Sequence, residues 1–178
     1  MLHELQQQFA VQMVAQAKAS GHIFPSYAAA EACLESAWGY SQLCQRTNDV
    51  FGMKAPNGWT GRTITMHTNE IIRGVAELEP ATWPIFNSYM EAFVERMAIL
   101  KRLPLYASAL QATSGEQYLR EVSGHWLEVE GDSDGTVTNL FTFPDGKFQW
   151  VGSRWSTDPK RASDVLATYQ SHPEIFNV

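Results

Sequence analysis

This sequence is short of cysteine, of clustered positive charge and of long apolar runs, and each shortage closes off a class of protein. Two cysteines, Cys33 and Cys44, are too few for a disulfide scaffold, and their spacing is not that of a metal site. Two buried thiols are expected, with a single bridge as the alternative. Lys and Arg number 13 against 19 Asp and Glu, for a net charge of −6, and they form no extended run. That balance argues against nucleic acid as the main partner and against a polybasic membrane patch, because phosphate recognition rests on clustered cations. No stretch is long and apolar enough to span a bilayer, so membrane insertion is not expected. The opening Met1-Leu2-His3-Glu4-Leu5-Gln6-Gln7-Gln8 lacks the basic region and apolar run of a secretory leader. Internal repeats and low-complexity tracts are also missing.

What is present suits one folded unit. At 178 residues and 44% hydrophobic content the chain can bury one sizeable core, so residues 1–178 are read as a single domain. Six Trp, six Tyr and nine Phe suit that core, and also a groove for flat or ring-shaped ligands. The stretch 27–39 organises the rest. It is predicted as a helix opened by Pro25-Ser26 and closed by Gly39, with Ala28, Ala29, Ala30 and Ala32 as strong helix formers. Leu34, Ala37 and Trp38 supply its buried stripe. Glu35 is out of place there. Helix carbonyls in a last turn disfavour a carboxylate, and a Glu that keeps its proton is what general acid catalysis requires. The competing reading is a solvated Glu at a helix end.

Before this helix, Leu5, Phe9, Met13 and Ala17 recur every four residues over 2–19, an amphipathic helix stopped by Gly21. A short helical turn occupies 41–44. Then the period changes. Residues 50–54 are strand-like, Pro56-Asn57-Gly58 is a turn, and Trp59-Thr60-Gly61 starts a return strand. Over 63–70 Ile64, Met66 and Thr68 alternate with Thr63, Thr65 and His67, which places a β-lobe at about 50–72. Helices resume at Ser88, which fits a capping box with Glu91, and Tyr89, Phe93, Met97 and Leu100 form the buried stripe up to Pro104. Another helix begins at 105–110, and Ser114 with Gln117 caps a short one to Val122. Residues 127–154 read as an inserted β-hairpin, in which 136–138 and 141–143 meet Phe148-Gln149-Trp150 across the turn 144–147. Asp158-Pro159 supplies the N-cap and first residue of a last helix, with Ala162, Leu166 and Tyr169 inward, ending before Pro173. Helices around a small β-region make an α+β arrangement.

Two carboxylates stand out by position. Glu35 on the central helix and Glu70 at the end of the β-region would face each other across a groove wherever helix and hairpin meet. Glycosidic cleavage often uses such a pair: one acid protonates the leaving oxygen, and one carboxylate assists water or stabilises positive charge. Asp132 and Asp134, in the 131–135 loop, are rival second carboxylates. That loop faintly resembles a calcium loop but lacks the remaining ligand spacing, so no metal or other cofactor is expected. Neither cysteine sits in a nucleophile motif, although His3, His22, His67, His125 and His172 are available as bases. Cys33, between Ala and Leu, is read as an inert core thiol. Trp38, Trp59, Trp126 and Trp155 each suit a core, but Trp59 after its Pro-Asn-Gly turn is hard to bury and is a groove candidate.

The segment Ala32-Cys33-Leu34-Glu35-Ser36-Ala37-Trp38-Gly39-Tyr40-Ser41 resembles the A-x-L-E-S-G-W-G-x-S signature of the bacterial N-acetylglucosaminidase domain, glycoside hydrolase family 73. That domain is the catalytic half of flagellar peptidoglycan hydrolases and of many autolysins. Asn48-Asp49-Val50-Phe51-Gly52-Met53-Lys54-Ala55 is similar to its N-x-L-F-G-I-K-A element, Trp59-Thr60-Gly61 to its W-x-G, and His67-Thr68-Asn69-Glu70 to its T-x-E. Further on, Phe86-Asn87-Ser88-Tyr89-Met90-Glu91-Ala92 resembles Y-x-S-x-x-E-S/A, Pro104-Leu105-Tyr106-Ala107 resembles P-x-Y-A, and Thr157-Asp158-Pro159 resembles T-D-P. The ordered set runs from about residue 25 to 170.

The resemblance implies a lysozyme-like, mainly helical α+β domain with a hairpin lobe and a long glycan groove. Its implied substrate is the β-1,4-linked GlcNAc–MurNAc backbone of peptidoglycan, cut on the reducing side of GlcNAc. The family's acid falls on Glu35 and its proposed second carboxylate on Glu70. Trp38, Asn48, Phe51, Trp59, Phe86 and one of Trp126 and Trp155 are the implied substrate-binding residues. Three tyrosine positions of the pattern are replaced. The Tyr of Y-A-T-D-P is replaced, with Trp155 or Trp126 in its stead; Phe86 holds the Tyr of Y-x-S; and Arg161 holds the Tyr that usually follows T-D-P. A muramidase and a non-catalytic glycan-binding or phage-tail module are the alternatives. A monomer without a visible leader suits a phage lysin or an injected toxin. It would be made in the cytoplasm and delivered to the wall or periplasm by another route, and a toxin would have a cognate immunity protein.

Overall fold

The computed structural model describes residues 2–72, 75–123, 125–128, 148–151, 155 and 160–177. The side chains of 69–72, 75–77, 125–128 and 148–151 lie outside that description. Helix α1 is Glu4–Ala19, capped by His3, whose Nδ1 accepts from the Leu5 amide while the Gln6 side chain accepts from His3. Ala10, Met13, Val14 and Ala17 form its buried face. Leu5 is 55% exposed. The strict four-residue spacing drifts off the face, because a turn takes 3.6 residues. The helix closes in a Schellman motif, with His22 N donating to Ala17 O (3.2 Å), Gly21 N to Lys18 O (3.1 Å), and Gly21 left-handed at φ 72°.

Helix α2 is Pro25–Glu35, shorter than expected. The same motif ends it: Trp38 N donates to Cys33 O (2.6 Å) and Ala37 N to Leu34 O (3.0 Å). Ala37, Trp38 and Gly39 all take positive φ, 49°, 57° and 84°. That turn carries Ala37 out to solvent, so it does not join Leu34 and Trp38 in packing on the core. A side chain at Gly39 would meet the Phe9 ring at 2.7 Å, which accounts for the glycine. Helix α3, Gln42–Thr47, is capped by Ser41 and ends in left-handed Asn48 (φ 56°).

The strands expected at 50–54 and from Trp59 do not form. The Asp49 carboxylate accepts the amides of Phe51 (2.9 Å) and Met53 (2.7 Å), which a ladder would have needed. The β-lobe lies instead at 63–84, where β1 (Thr63–Ile72) pairs antiparallel with β2 (Val75–Pro84), from Thr63↔Pro84 to Ile72↔Val75. The alternation in β1 is as read: Ile64, Met66 and Thr68 are half-buried, and Thr63, Thr65 and His67 exposed. β2 is the strand that sequence reading missed, because Pro80 and Pro84 argue against a strand there. Prolines are tolerated on an edge, and a two-stranded sheet has only edges.

Helix α4, Tyr89–Arg102, follows the Ser88 cap, whose Oγ accepts from Glu91 N. The Glu91 carboxylate accepts from Asn87 N (2.8 Å) and so sits one residue off a regular capping box. A 3-10 turn (Pro104–Tyr106), α5 (Ala107–Leu110) and α6 (Gly115–Ser123) lead to β3 (His125–Glu128). β3 pairs antiparallel with β4 (Phe148–Val151). The inserted hairpin therefore begins near 125 rather than 127, and the segments 136–138, 141–143 and 144–147 lie outside the described residues. Asp158-Pro159 lies outside them as well. Helix α7, Arg161–Ser171, buries Arg161 and Val165, with Ala162, Leu166 and Tyr169 half-buried against the core, and α8 is Pro173–Phe176.

The alanines of α2 let α1, α7 and α8 approach it closely, and the core closes around it. Cys33 and Cys44 are free and buried, and burial pushes both thiols up, Cys44 to about 11. Among the described residues no helix is long and apolar enough to cross a membrane.

Candidate active site

Glu31 and Glu35 lie four residues apart on α2, hence on one face. Glu31 is wholly buried among alanines, and two arginines meet it there. Arg96 of α4 donates Nη2 to Glu31 Oε1 (2.5 Å) and Oε2 (2.7 Å), and Arg161, the first residue of α7, donates Nη2 to Oε1. The Arg161 Nε donates to Glu35 Oε1 at 2.6 Å and its Nη1 to Ser123 Oγ at 3.2 Å. The Arg96 guanidinium lies between two rings, 3.7 Å from the Trp155 centroid and 4.7 Å from that of Phe51.

Burial alone would raise the Glu31 carboxyl, but Arg161 and Arg96 beside it more than offset that and hold it below its ordinary range. Burial likewise opposes the Arg161 charge, and Glu31 and Glu35 keep that guanidinium protonated to beyond the usual arginine range. Such a cluster stands as a unit, since stripping one partner from a buried pair costs about 3–5 kcal/mol. Behind it His22 Nδ1 accepts from Phe24 N (3.2 Å), which leaves its Nε2–H to face Tyr118 Oη at 3.3 Å. Burial brings His22 down to about 3 and Tyr118 up to about 12.

Glu35 closes the cluster on the solvent side, with 28% of its side chain exposed. Its immediate partner is the Arg161 guanidinium, where the sequence pointed to the carbonyls of a last helical turn. One carboxyl oxygen is anchored to the buried network while the group itself is reachable from outside, an arrangement suited to exchanging a proton with a bound substrate.

A second group gathers where α3 meets the end of β2. Asn48 Nδ2 donates to Phe86 O (2.9 Å), Phe86 N donates to Thr47 O (2.8 Å), and the Trp59 and Phe86 rings meet edge-on at 5.9 Å. A Cβ at Gly61 would meet the Trp59 indole at 2.9 Å, so the W-x-G spacing lets the ring fold back, with its Nε1 on Arg62 O. Two expected sugar-binding rings are corrected here. Phe51 is 1% and Phe86 3% exposed, both in the core, so neither ring offers a face to a sugar. One N–H of the Asn48 amide is committed to the Phe86 carbonyl. Trp59 and Trp155 are half-buried and keep accessible surface, and half-buried Trp38 packs edge-on to His172 (5.7 Å). Glu70 lies in β1 opposite Glu77. Its side chain, that of Trp126, and Asp132 and Asp134 fall outside the described residues. Among the described residues no three His, Cys, Asp or Glu are grouped to hold a metal.

Sequence reading missed Glu31 and Arg96. Both had a signal: each is a charge set inside an apolar stripe, Glu31 one turn before Glu35 and Arg96 between Phe93 and Met97.

A family model described as mannosyl-glycoprotein endo-beta-N-acetylglucosaminidase matches residues 11–173. Peptidoglycan hydrolase FlgJ of Salmonella typhimurium is 36% identical over 92 residues, 49% of this chain and 29% of that protein. Exo-glucosaminidase LytG of Bacillus subtilis is 31% identical over 81 residues, 46% of this chain and 28% of that protein. The matches thus span less than a third of these two relatives. Among solved structures, the truncated glycoside hydrolase domain of Salmonella typhimurium FlgJ superposes with a TM-score of 0.61 at 24% identity, covering 95% of this chain and 98% of that one. The catalytic domain of the autolysin Auto from Listeria monocytogenes gives 0.66 at 21%, covering 97% and 86%. The fold is therefore that of these lysozyme-like domains, mostly helical with a small antiparallel hairpin.

Proposed function

The chain belongs to the glucosaminidase family, whose model spans residues 11–173, and on that premise we propose that it is an endo-β-N-acetylglucosaminidase of peptidoglycan. It cuts the β-1,4 bond between GlcNAc and MurNAc on the reducing side of GlcNAc. The observation that carries this reading is Glu35 itself: it ends α2 inside the family signature, open to solvent, with its backing fully buried. Because Arg161 Nε occupies Oε1, Oε2 is the oxygen left to deliver a proton. Transfer to the glycosidic oxygen turns the departing sugar into a neutral leaving group. Glu70 is the expected second carboxylate, positioning water or stabilising oxocarbenium-like charge, with the GlcNAc acetamido group able to share that task. Trp38, Trp59 and Trp155 are half-buried rings with surface left for sugar stacking.

Digestion of purified cell walls followed by mass spectrometry tests the reading. GlcNAc at the new reducing end is expected, and MurNAc there would make the protein a muramidase. Glu35→Gln should lower the rate by at least about 100-fold while the fold survives. An undiminished rate in that variant removes the proposal. Walls bound but never cut by the wild type would indicate a glycan-binding module. For delivery, the reading extends to a bacteriolytic phage lysin, or to an injected toxin whose immunity protein plugs the groove. A holin gene alongside would mark the lysin, and a gene for a small secreted inhibitor the toxin.

A further inference from the structure

We propose that Arg161 is a positioning residue of this site: its guanidinium, held from behind by Glu31 and Ser123, fixes the Glu35 carboxyl by one oxygen and aims the other at the scissile bond. The inference rests on the reading of Glu35 as the acid. Arg161 has the geometry of a clamp. Its three donating nitrogens go to three different acceptors on two helices, Nε to Glu35 (2.6 Å), Nη1 to Ser123 of α6 (3.2 Å) and Nη2 to Glu31. A guanidinium is a rigid planar fork, so two engaged arms dictate where the third points. The far end of the chain of contacts is also fixed. Glu31 is gripped by Arg96, and Arg96 is stacked between Phe51 and Trp155.

The charge arithmetic explains why the clamp reaches Glu35. Glu31 and Glu35 stand four residues apart on one helix face, and whenever both are ionised they repel one another. Arg161 sits between them, and Arg96 balances the remaining charge of the buried pair. A purely structural Arg161 would need only Glu31 and Ser123, which are buried. Its Nε is instead spent on the one carboxylate of the cluster that solvent reaches. This also gives a use to the Arg where the family pattern has Tyr.

The test measures kcat and KM on soluble glycan fragments, with thermal midpoints, for wild type, Glu35→Gln, Arg161→Gln, Arg161→Lys and Ser123→Ala. Arg161→Gln is expected to lose about 100-fold in kcat, the usual consequence of a misplaced reacting group, with KM within about twofold. Arg161→Lys restores charge without the fork and should recover only part of that loss. Ser123→Ala removes one arm and no charge, and should lose about fivefold in kcat, the rate equivalent of one hydrogen bond. If Arg161→Gln does not fold, Ser123→Ala decides. A folded Arg161→Gln or Ser123→Ala with wild-type kcat, or a loss confined to KM, overturns the proposal while leaving Glu35 as the acid. An inactive wild type, or an active Glu35→Gln, overturns the functional reading and this inference with it.

Discussion

Ala37 holds a backbone position that Gly21 holds at the end of the preceding helix. Both are the residue after the C-cap in a Schellman motif, and both have positive φ, 49° and 72°. Glycine adopts that conformation freely, whereas an L-residue with a Cβ loses roughly 1–2 kcal/mol. Trp38 follows at φ 57°, so two strained residues stand directly beyond the Glu35 turn. The 2.6 Å bond from Trp38 N to Cys33 O and the Ser36 Oγ–Gly39 N bond hold them there. Ala37→Gly is therefore expected to stabilise the fold by about 1 kcal/mol, the left-handed cost recovered less the extra entropy of an unfolded glycine. Urea denaturation reads this as a higher midpoint at unchanged slope. A midpoint equal to or below that of wild type would mean the turn is not strained at Ala37.

At the scale of elements, the junction between α3 and the end of β2 depends on Asn48. It terminates α3 in the left-handed conformation and its amide ties Phe86 O at 2.9 Å, setting where the hairpin leaves the helical body. The two roles separate by substitution. Asn48→Gly keeps the backbone but drops the tie, at about 1 kcal/mol; Asn48→Ala adds about another 1 kcal/mol for left-handed alanine. Equal stabilities of the two variants in urea would show that strain plays no part at this cap. The same junction shows how far the sequence was legible. Helices announced themselves through caps and period: Pro25, Ser41, Ser88 and Ser114 all mark true helix starts. What escaped reading was settled by contacts distant in sequence or by side chains competing for the backbone. Asp49 took the amides of an expected strand, and prolines disguised β2. In the site, Glu35 was legible because it conflicts with its own helix. The Glu31–Arg96–Arg161 cluster was not, because its members come from three helices 65 and 130 residues apart.

For the whole molecule, two buried groups set opposite responses to pH. Burial raises Asp49 from 3.8 to about 7, although the amides of Phe51, Met53 and Gly52 favour its charged form. Between those values the folded chain carries a proton that the unfolded chain has lost, so stability falls as pH rises. Burial lowers His22 from 6.5 to about 3, and here the unfolded chain carries the extra proton, so stability rises with pH. Each slope is at most about 1.4 kcal/mol per pH unit, and where the windows overlap, roughly pH 4 to 6.5, they cancel. Glu31, held below its ordinary value, adds stability that is lost only as pH falls through its lowered value. Asp49→Asn removes one slope and leaves the other. The variant is expected to gain stability from pH 4 to 6.5, and the wild-type-minus-variant difference should fall by about 3–4 kcal/mol between pH 4 and 7. An Asn offers one acceptor oxygen where Asp49 uses two, so it also loses an amide bond, a constant offset that leaves the slope intact. Urea midpoints across that range decide the matter. A difference that does not vary with pH would mean Asp49 stays ionised in the folded protein, its three amides outweighing burial.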